Sequence, residues 1–306
     1  MPTYRKRFGL RPDPAVAAEI ASLDAERDCQ RIVYLLSAYE FPWDFNRALE
    51  LALFYTYASQ PIATLLDRTG EFERHGQKRY DDTQLLVAYL LECGYEHGDG
   101  AAALTRINRS HSHYRIAMDD FIFTLWTFIA FPIRWTQRWS ARPMTAHEQQ
   151  AWLVFWLEVG QRMGLTGLPT TRADFDDWVE RYCQQHFVAN PASARVAAST
   201  IAIMEAWLPG PLRSRVAPVV YSLFDDDPRF LAAIGARAPT PSWRPLIDLA
   251  LRWRARARRH WVLHDYPVSR ERSRTRSYGR QTPPIDHLAP ERLRRAEQRP
   301  PSGSGL

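Results

Sequence analysis

Two histidines, His111 and His113, are well suited by residue type to bind a metal or transfer a proton near neutral pH. They fall in a segment, 100–114, whose apolar residues recur with the period of an α-helix. The apolar stripe of this predicted helix contains Leu104, Ile107, His111 and Tyr114. Because a helix completes a turn every 3.6 residues or so, His113 falls on the polar side and only His111 is predicted to face the interior.

A buried, neutral imidazole at His111 would be a good axial ligand for haem iron. One ring nitrogen binds the iron, while the other donates a hydrogen bond that fixes the ring orientation. The residues alone leave a second interpretation open, in which His111 is a core histidine hydrogen-bonded to a backbone carbonyl.

A guanidinium and a hydroxyl, those of Arg79 and Thr83, lie four residues apart on the preceding predicted helix. They share a face with Leu86 and Leu90, so both polar groups point the same way above an aliphatic surface. Such a pair could hold a bound oxygen species or a propionate. The open alternative is a surface arginine beside a threonine near a helix start.

The sequence contains no glycine-rich dinucleotide loop, phosphate loop, nucleophile elbow, HExxH zinc helix or ExxH pair. These absences argue against the corresponding enzyme classes. The histidines remain as the candidates for a catalytic or metal-binding role. The three cysteines, Cys29, Cys93 and Cys183, form no CxxC motif, which favours a reducing compartment and predicts a cytoplasmic protein.

The elements that must position these residues are predicted to be helices, because helical periodicity extends from residue 13 to about 261. The pattern predicts an all-α fold with one multi-helix domain over 1–266, followed by a flexible, Arg/Pro/Ser-rich tail over 267–306. A first helix is predicted to continue from Pro14 to Tyr39, and a loop is predicted around Thr69-Gly70 and His75-Gly76. The longest apolar run, 121–133, is shorter than the ~20 residues that span a bilayer and predicts a buried helix.

The formal net charge of +6 arises almost entirely from arginine, since Lys6 and Lys78 are the only lysines. This bias predicts no specific nucleic-acid partner. Near the carboxyl end, Ile247, Leu251, Trp253 and Trp261 are interspersed with arginines, a pattern compatible with an interfacial helix. At most a peripheral membrane contact is predicted there, and the alternative is a solvated helix end.

A set of scattered residues with consistent spacing resembles a known family, the catalytic domain shared by rubber oxygenases (latex clearing proteins) and the ER-bound oxygenase of mycophenolic acid biosynthesis. The central motif is Arg106-Ile107-Asn108-Arg109-Ser110-His111-Ser112-His113-Tyr114. Further matching positions include Thr69-Gly70, Lys78-Arg79, Thr83, Asp120, Pro132, Arg134-Trp135, Arg142, Glu148, Met163-Gly164 and Tyr182. The resemblance covers roughly 42–187 and is closer to the second group.

The resemblance implies an all-helical fold around haem b that cleaves carbon-carbon double bonds of polyisoprenoid chains with dioxygen. It implies that His111 is the proximal iron ligand and that Arg79 and Thr83 are the distal pair. The lysine that can cap the iron in rubber oxygenases is replaced by Asp82, so that closed state is not expected. The family's catalytic glutamate finds no match among the nearby acids, which are Asp67, Glu71, Glu73 and Asp81. No counterpart of the membrane anchor of the biosynthetic relatives is expected in this sequence.

The combined prediction is a haem b-dependent oxygenase that acts with dioxygen on a hydrophobic substrate, with isoprenoids as candidates and an electron donor as a further partner. One competing prediction is a haem protein that senses or transfers electrons without oxygenating a substrate. Another is a helical module without haem that binds a membrane or nucleic acid through its basic carboxyl end.

Overall fold

The structure, a computed structural model, describes Tyr4 and residues 14–263, 265–270 and 275–297. Within these residues the chain is all-α, as predicted, and isolated bridges such as Ser59–Phe187 and Thr275–Gly279 take the place of strands. Ten helices make up the larger part of the fold. They are α1 (Pro14–Ser22), α2 (Cys29–Leu35), α3 (Pro42–Thr56), α4 (Gln60–Thr69), α5 (Glu71–Cys93), α6 (Gly98–His111), α7 (Met118–Trp139), α8 (Ala146–Arg162), α9 (Arg172–His186) and α10 (Pro191–Ala206).

Shorter elements and one long helix complete the described chain. A π-helical turn (Leu36–Glu40) joins α2 to α3, and a 3-10 turn (Ile285–His287) precedes the last helix. The remaining helices are α11 (Gly210–Arg213), α12 (Val216–Ser222), α13 (Pro228–Ala233), α14 (Arg244–His260) and α15 (Glu291–Glu297). None of the described helices is both long enough and apolar enough to cross a bilayer.

The centre of the core lies between α3 and α7, which share the most extensive helix-helix contact. Aromatic side chains pack between the two helices and between α3 and α8. Trp43 of α3 lies 5.8 Å from Trp135 of α7, and Phe45 lies 4.6 Å from Trp152 of α8, measured between ring centroids. Close aromatic packing of this kind stabilises a core beyond the burial of area alone.

The prediction of one continuous first helix is wrong, because the chain breaks between α1 and α2. The Asp24 carboxylate accepts hydrogen bonds from the backbone N–H groups of Glu26 and Arg27, both at 2.9 Å. The Asp28 carboxylate in turn accepts the Asp24 N–H at 2.9 Å. Aspartate side chains here take backbone donors that a helix would otherwise use, which ends one helix before the next begins.

The predicted loop is present at Gly70, which separates α4 from α5. Its His75-Gly76 part is wrong, because the chain there forms a kink inside α5, where His75 has φ −136°. The kink lies where α5 packs closely on α10, since a Cβ on Gly76 would meet the Ile203 side chain at 2.5 Å. The helix therefore continues through this point and carries Arg79 and Thr83 on its second part.

Residues 275–297 pack against α5 through buried carboxylates and against α6 through Arg106, which donates to the Leu288 carbonyl at 3.3 Å. Asp81 accepts the Ser277 N–H at 2.7 Å, and Asp82 accepts the Tyr278 hydroxyl at 2.6 Å. We call residues 275–297 the C-terminal strap. The division of the chain at residue 266 into a domain and a flexible tail stays a prediction, and residues 271–274 and 298–306 lie outside the described chain.

Candidate functional site

A cavity of about 310 Å³ lies between helices α3 to α8 and α10. Its walls are mainly apolar, and its few polar groups converge from different helices. The polar or charged residues that matter below are Glu50, Glu71, Arg79, Tyr80, Thr83 and His111. Apolar walls with a small number of convergent polar groups are typical of a ligand or cofactor site.

The imidazole of His111, the last residue of α6, lines this cavity. Its ring packs edge-on against Phe121 of α7, with centroids 5.2 Å apart. Burial, together with the nearby positive charge of Arg79, lowers the pKa of His111 to about 4. The ring is therefore neutral at physiological pH and keeps a free lone pair for a metal or a proton.

The Nδ1 atom of His111 is buried and has no hydrogen-bond partner among the described residues. A core histidine bonded to a backbone carbonyl, the alternative left open by the sequence, would satisfy that atom. His113 behaves differently: it is exposed, and its Nδ1 lies 2.7 Å from the Arg109 carbonyl oxygen. As helical periodicity predicts, His111 faces the interior and His113 faces solvent. The role of His111 as an iron ligand stays a prediction.

Arg79 and Thr83 of α5 line the same cavity as His111. The Thr83 hydroxyl donates to the Arg79 backbone carbonyl at 2.9 Å, so its oxygen retains lone pairs for another donor. The Arg79 guanidinium makes no hydrogen bond or ion pair with any residue in the described part of the chain. A half-buried guanidinium without a partner suits an anionic group in the cavity, such as a propionate or a reduced oxygen species.

A carboxylate that the sequence analysis did not single out, Glu50 of α3, also reaches the cavity. It forms an ion pair with Arg47 at 2.5 Å and accepts a hydrogen bond from the Tyr80 hydroxyl. Burial raises the pKa of Glu50 despite these two partners. In the sequence, Glu50 stands out only as an acidic residue between Leu49 and Leu51 in an apolar helix. Its pairing with α5 is visible only in three dimensions.

The acids named from the sequence separate in the structure. Glu71 alone among them lines the cavity, and its carboxylate accepts the backbone N–H groups of Glu291 and Arg292 at 3.1 and 3.2 Å. Asp67 pairs with Arg195 at the surface at 2.7 Å, and Glu73 is exposed. The remaining two, Asp81 and Asp82, are buried under the strap and are absent from the cavity lining.

The cavity residues fit a haem better than a bare metal ion. Within the described residues no group of three His, Cys, Asp or Glu side chains is placed to hold a metal ion. A single neutral imidazole suffices when a porphyrin supplies the other ligands of the iron. The unsatisfied Nδ1 of His111 shows that this ring lacks a partner, the free guanidinium of Arg79 matches a propionate, and the apolar wall matches the macrocycle.

An all-helical fold with one imidazole and one unpaired guanidinium in an apolar cavity is typical of a domain that binds a ligand or cofactor. The family described as "ER-bound oxygenase mpaB/B'/Rubber oxygenase, catalytic domain" matches residues 48–266, and the chain belongs to it. This range contains Glu50, Arg79, Thr83 and His111. The strap lies beyond it, although Leu288 and Pro290 of the strap line the cavity.

Three fungal relatives show the same similarity. The chain is 26% identical to the ER-bound oxygenase mpaB' of Penicillium brevicompactum over 71% of this chain and 55% of the relative. It is 31% identical to the ER-bound oxygenase mpaB of Penicillium roqueforti (strain FM164), over 46% of this chain and 51% of the relative. It is 27% identical to the ER-bound oxygenase mpaB of Penicillium brevicompactum, over 55% of this chain and 48% of the relative. The chain spans about half the length of the curated relatives it matches.

Proposed function

We propose that this protein is a haem b-dependent oxygenase that uses dioxygen to cleave a carbon-carbon double bond of a hydrophobic substrate, with isoprenoid chains as the leading candidates. The observation that carries the proposal is the convergence of His111, Arg79 and Thr83 on one apolar cavity. Membership of the oxygenase family supports the reaction class. In the proposed reaction both oxygen atoms of dioxygen enter the products, so an alkene yields two carbonyl groups.

His111 would hold the iron through the lone pair that its lowered pKa keeps unprotonated. The bound haem would supply the binding and activation of dioxygen, which no side chain of this protein can provide. Because Phe121 packs edge-on against the imidazole, the ring is held in one orientation without a hydrogen bond to Nδ1 from the described residues.

Arg79 would stabilise the negative charge that develops on oxygen during the reaction, because its guanidinium has no competing anion among the described residues. Thr83 would accept a hydrogen bond at the same place, since its own proton is committed to the Arg79 carbonyl. Glu50 would hold or release a proton, because its raised pKa brings it closer to neutral pH.

The apolar walls argue for an apolar substrate. Residues that line the cavity from α3, α7 and α8 include Leu53, Phe121, Leu125, Phe128 and Trp156. Such walls exclude water and cannot satisfy the polar groups of a hydrophilic molecule, so binding selects long hydrocarbon chains.

The test begins with the absorption spectrum of the purified protein, reconstituted with haem where necessary. His111→Ala is expected to abolish the haem spectrum, whereas His113→Ala, at an exposed position two residues away, leaves it unchanged. Haem content that stays equal in the two variants would remove His111 from the proposed role.

A second measurement separates an oxygenase from a haem sensor or electron carrier. The haem-loaded protein is incubated with an isoprenoid alkene under ¹⁸O-labelled dioxygen, with and without a chemical reductant, and the products are analysed by mass spectrometry. Labelled carbonyl products support the oxygenase. A protein that binds dioxygen reversibly but never converts an alkene would be assigned to the sensor or carrier class instead.

A further inference from the structure

Helix α14 presents an apolar surface to solvent that the rest of the described chain leaves uncovered. Leu246, Leu249 and Trp253 are exposed by 56%, 53% and 66%, and Trp261, just past the helix, by 53%. At about 100° per residue the three helical side chains fall within roughly 60° of one another. They therefore form one stripe, and soluble proteins seldom leave two tryptophans and two leucines exposed together without a partner.

The charges beside this stripe are all positive. Arg252, Arg256 and Arg259 are exposed and lie on one flank of the stripe. The single acid of α14, Asp248, is directed inward, where it accepts the Trp139 indole N–H at 2.8 Å. The outward face of α14 therefore combines apolar bulk with a cationic edge.

The inward face of α14 is firmly fixed, so exposure of the outer face does not arise from a loosely placed helix. Arg254 forms an ion pair with the buried Asp44 at 3.0 Å and stacks over Trp43 at 3.7 Å. Arg258 is buried and donates to the Tyr39 carbonyl at 3.1 Å. Arg254 and Arg258 thus have protein partners on the inward side, whereas Arg252 and Arg256 face solvent. The exposed Arg259 keeps one protein contact, donating from Nε to the Ala141 carbonyl at 2.7 Å.

We propose that the outward face of α14, Leu246, Leu249, Trp253 and Trp261 with their flanking arginines, docks the protein on the surface of an anionic lipid bilayer. An amphipathic helix with Trp and Leu on one face and Arg beside them lies in the interface, with its apolar side chains among the acyl chains and its cations on the phosphates. At 17 residues, α14 is about 25 Å long and can lie along the surface over its whole length. The inference rests on α14 alone and is independent of what the cavity binds.

Two other occupants fit the face less well. A second copy of the chain, docked through the same face about a two-fold axis, would bring one cationic edge toward an identical one. A nucleic acid would match the arginines but would leave the leucines and their apolar area without a counterpart. An anionic bilayer satisfies both features of the face.

Vesicle binding of the full-length protein tests the proposal directly. Sedimentation with phosphatidylcholine vesicles is compared with sedimentation in which part of the lipid is phosphatidylserine, and the wild-type protein is expected to bind the anionic vesicles. Trp253→Asp is expected to weaken that binding by about tenfold or more, because it places a charge where an indole entered the acyl region. Val188→Asp, which changes another exposed apolar residue away from α14, is the matched control and should bind as wild type does.

The double variant Arg252→Gln, Arg256→Gln is expected to lose the preference for phosphatidylserine. All of these positions are exposed, so circular dichroism should report unchanged folding. Wild-type protein that ignores anionic vesicles, or Trp253→Asp that binds them unchanged, would overturn the proposal. It would also be overturned by a wild-type dimer that Trp253→Asp converts to a monomer in sedimentation velocity, or by oligonucleotide binding that the arginine variant loses and Trp253→Asp retains.

Discussion

The positive charge of Arg79 on α5 lowers the pKa of His111 on α6, although the two residues are 32 positions apart in the sequence. Both side chains line one cavity, and neither guanidinium nor imidazole Nδ1 has a hydrogen-bond partner among the described residues. The Nδ1 atom of His111 is buried without a partner among the described residues, which is costly to the folded protein. That cost is recovered when a ligand that pairs with it binds.

Removing the charge of Arg79 should raise the pKa of His111. Burial is the larger cause of the lowered pKa and remains in Arg79→Ala, so the pKa should rise from about 4 but stay below its ordinary value of 6.5. Arg79→Lys keeps the positive charge, so the pKa of His111 should stay close to its wild-type value. An NMR titration of the His111 ring in haem-free protein measures both variants, and identical pKa values in all three proteins would contradict an electrostatic contact.

The stability of the haem-free protein should fall as the pH is lowered from about 6.5 toward 4. The unfolded chain protonates His111 near 6.5, whereas the folded protein resists protonation until about pH 4, so the unfolded state binds more protons over this interval. By pH 5 the titration of His111 should lower the free energy of unfolding by an amount on the order of 2 kcal/mol. Urea unfolding of wild type and His111→Phe at pH 7 and pH 5 measures this loss.

The His111→Phe variant should show the smaller loss of stability between the two pH values, because it lacks the titrating ring. Other groups titrate in the same range and contribute to both proteins alike. An equal loss in the two proteins would mean that His111 is protonated as easily in the folded state as in the unfolded one.

Helical periodicity alone was enough to separate His111 from His113 and to place Arg79 and Thr83 on one face. These are local relationships, fixed by the geometry of one helix turn, so they can be read from spacing. The start of α8 is an equally local arrangement: the Thr145 hydroxyl accepts the Glu148 N–H at 3.2 Å, and the Glu148 carboxylate accepts the Thr145 N–H at 2.8 Å.

Other features depend on partners that are distant in sequence and were therefore missed. Glu50 becomes a candidate only because Tyr80, 30 residues away, donates to it. The strap has an Arg/Pro/Ser-rich composition typical of a solvated tail, yet its Leu288 is fully buried. Its position is set by carboxylates on α5 such as Asp81, about 200 residues earlier, and no local pattern contains that information.

Replacing Glu50 by glutamine should reduce oxygenase turnover without removing haem. Glutamine retains an oxygen that can accept the Tyr80 hydroxyl but can no longer release a proton, so a proton-transfer role predicts a loss of about a hundredfold or more. Haem content, read from the absorption spectrum, should be unchanged because Glu50 is not the proposed ligand.

Asp67→Asn is the matched control for Glu50→Gln, since Asp67 belongs to a surface ion pair with Arg195 and is absent from the cavity lining. Its turnover should equal that of wild type. Full activity in Glu50→Gln, with the control also active, would reject the proton-transfer role while leaving the haem assignment of His111 intact.

Glu71 should hold the strap in place, because its buried carboxylate accepts two backbone N–H groups at the start of α15. Glu71→Gln replaces an ionised acceptor by a neutral one and leaves an amide facing backbone donors, which should weaken the docked state by about 2 kcal/mol. Trypsin should then cleave faster at the strap arginines, which include Arg292, Arg294 and Arg295. Peptide mapping by mass spectrometry under native conditions measures the rate.

The exposed Glu73, two residues further along α5, provides the control for Glu71. Glu73→Gln carries the same chemical change but should be cleaved at the wild-type rate, because the structure shows no hydrogen bond between this side chain and the described part of the strap. Since Leu288 and Pro290 of the strap also line the cavity, release of the strap should expose the cavity to solvent and quicken the exchange of bound haem. Equal cleavage rates in Glu71→Gln and Glu73→Gln would show that the strap is held by its other contacts, among them the Lys78 ammonium, which donates to the Ala289 carbonyl at 2.7 Å.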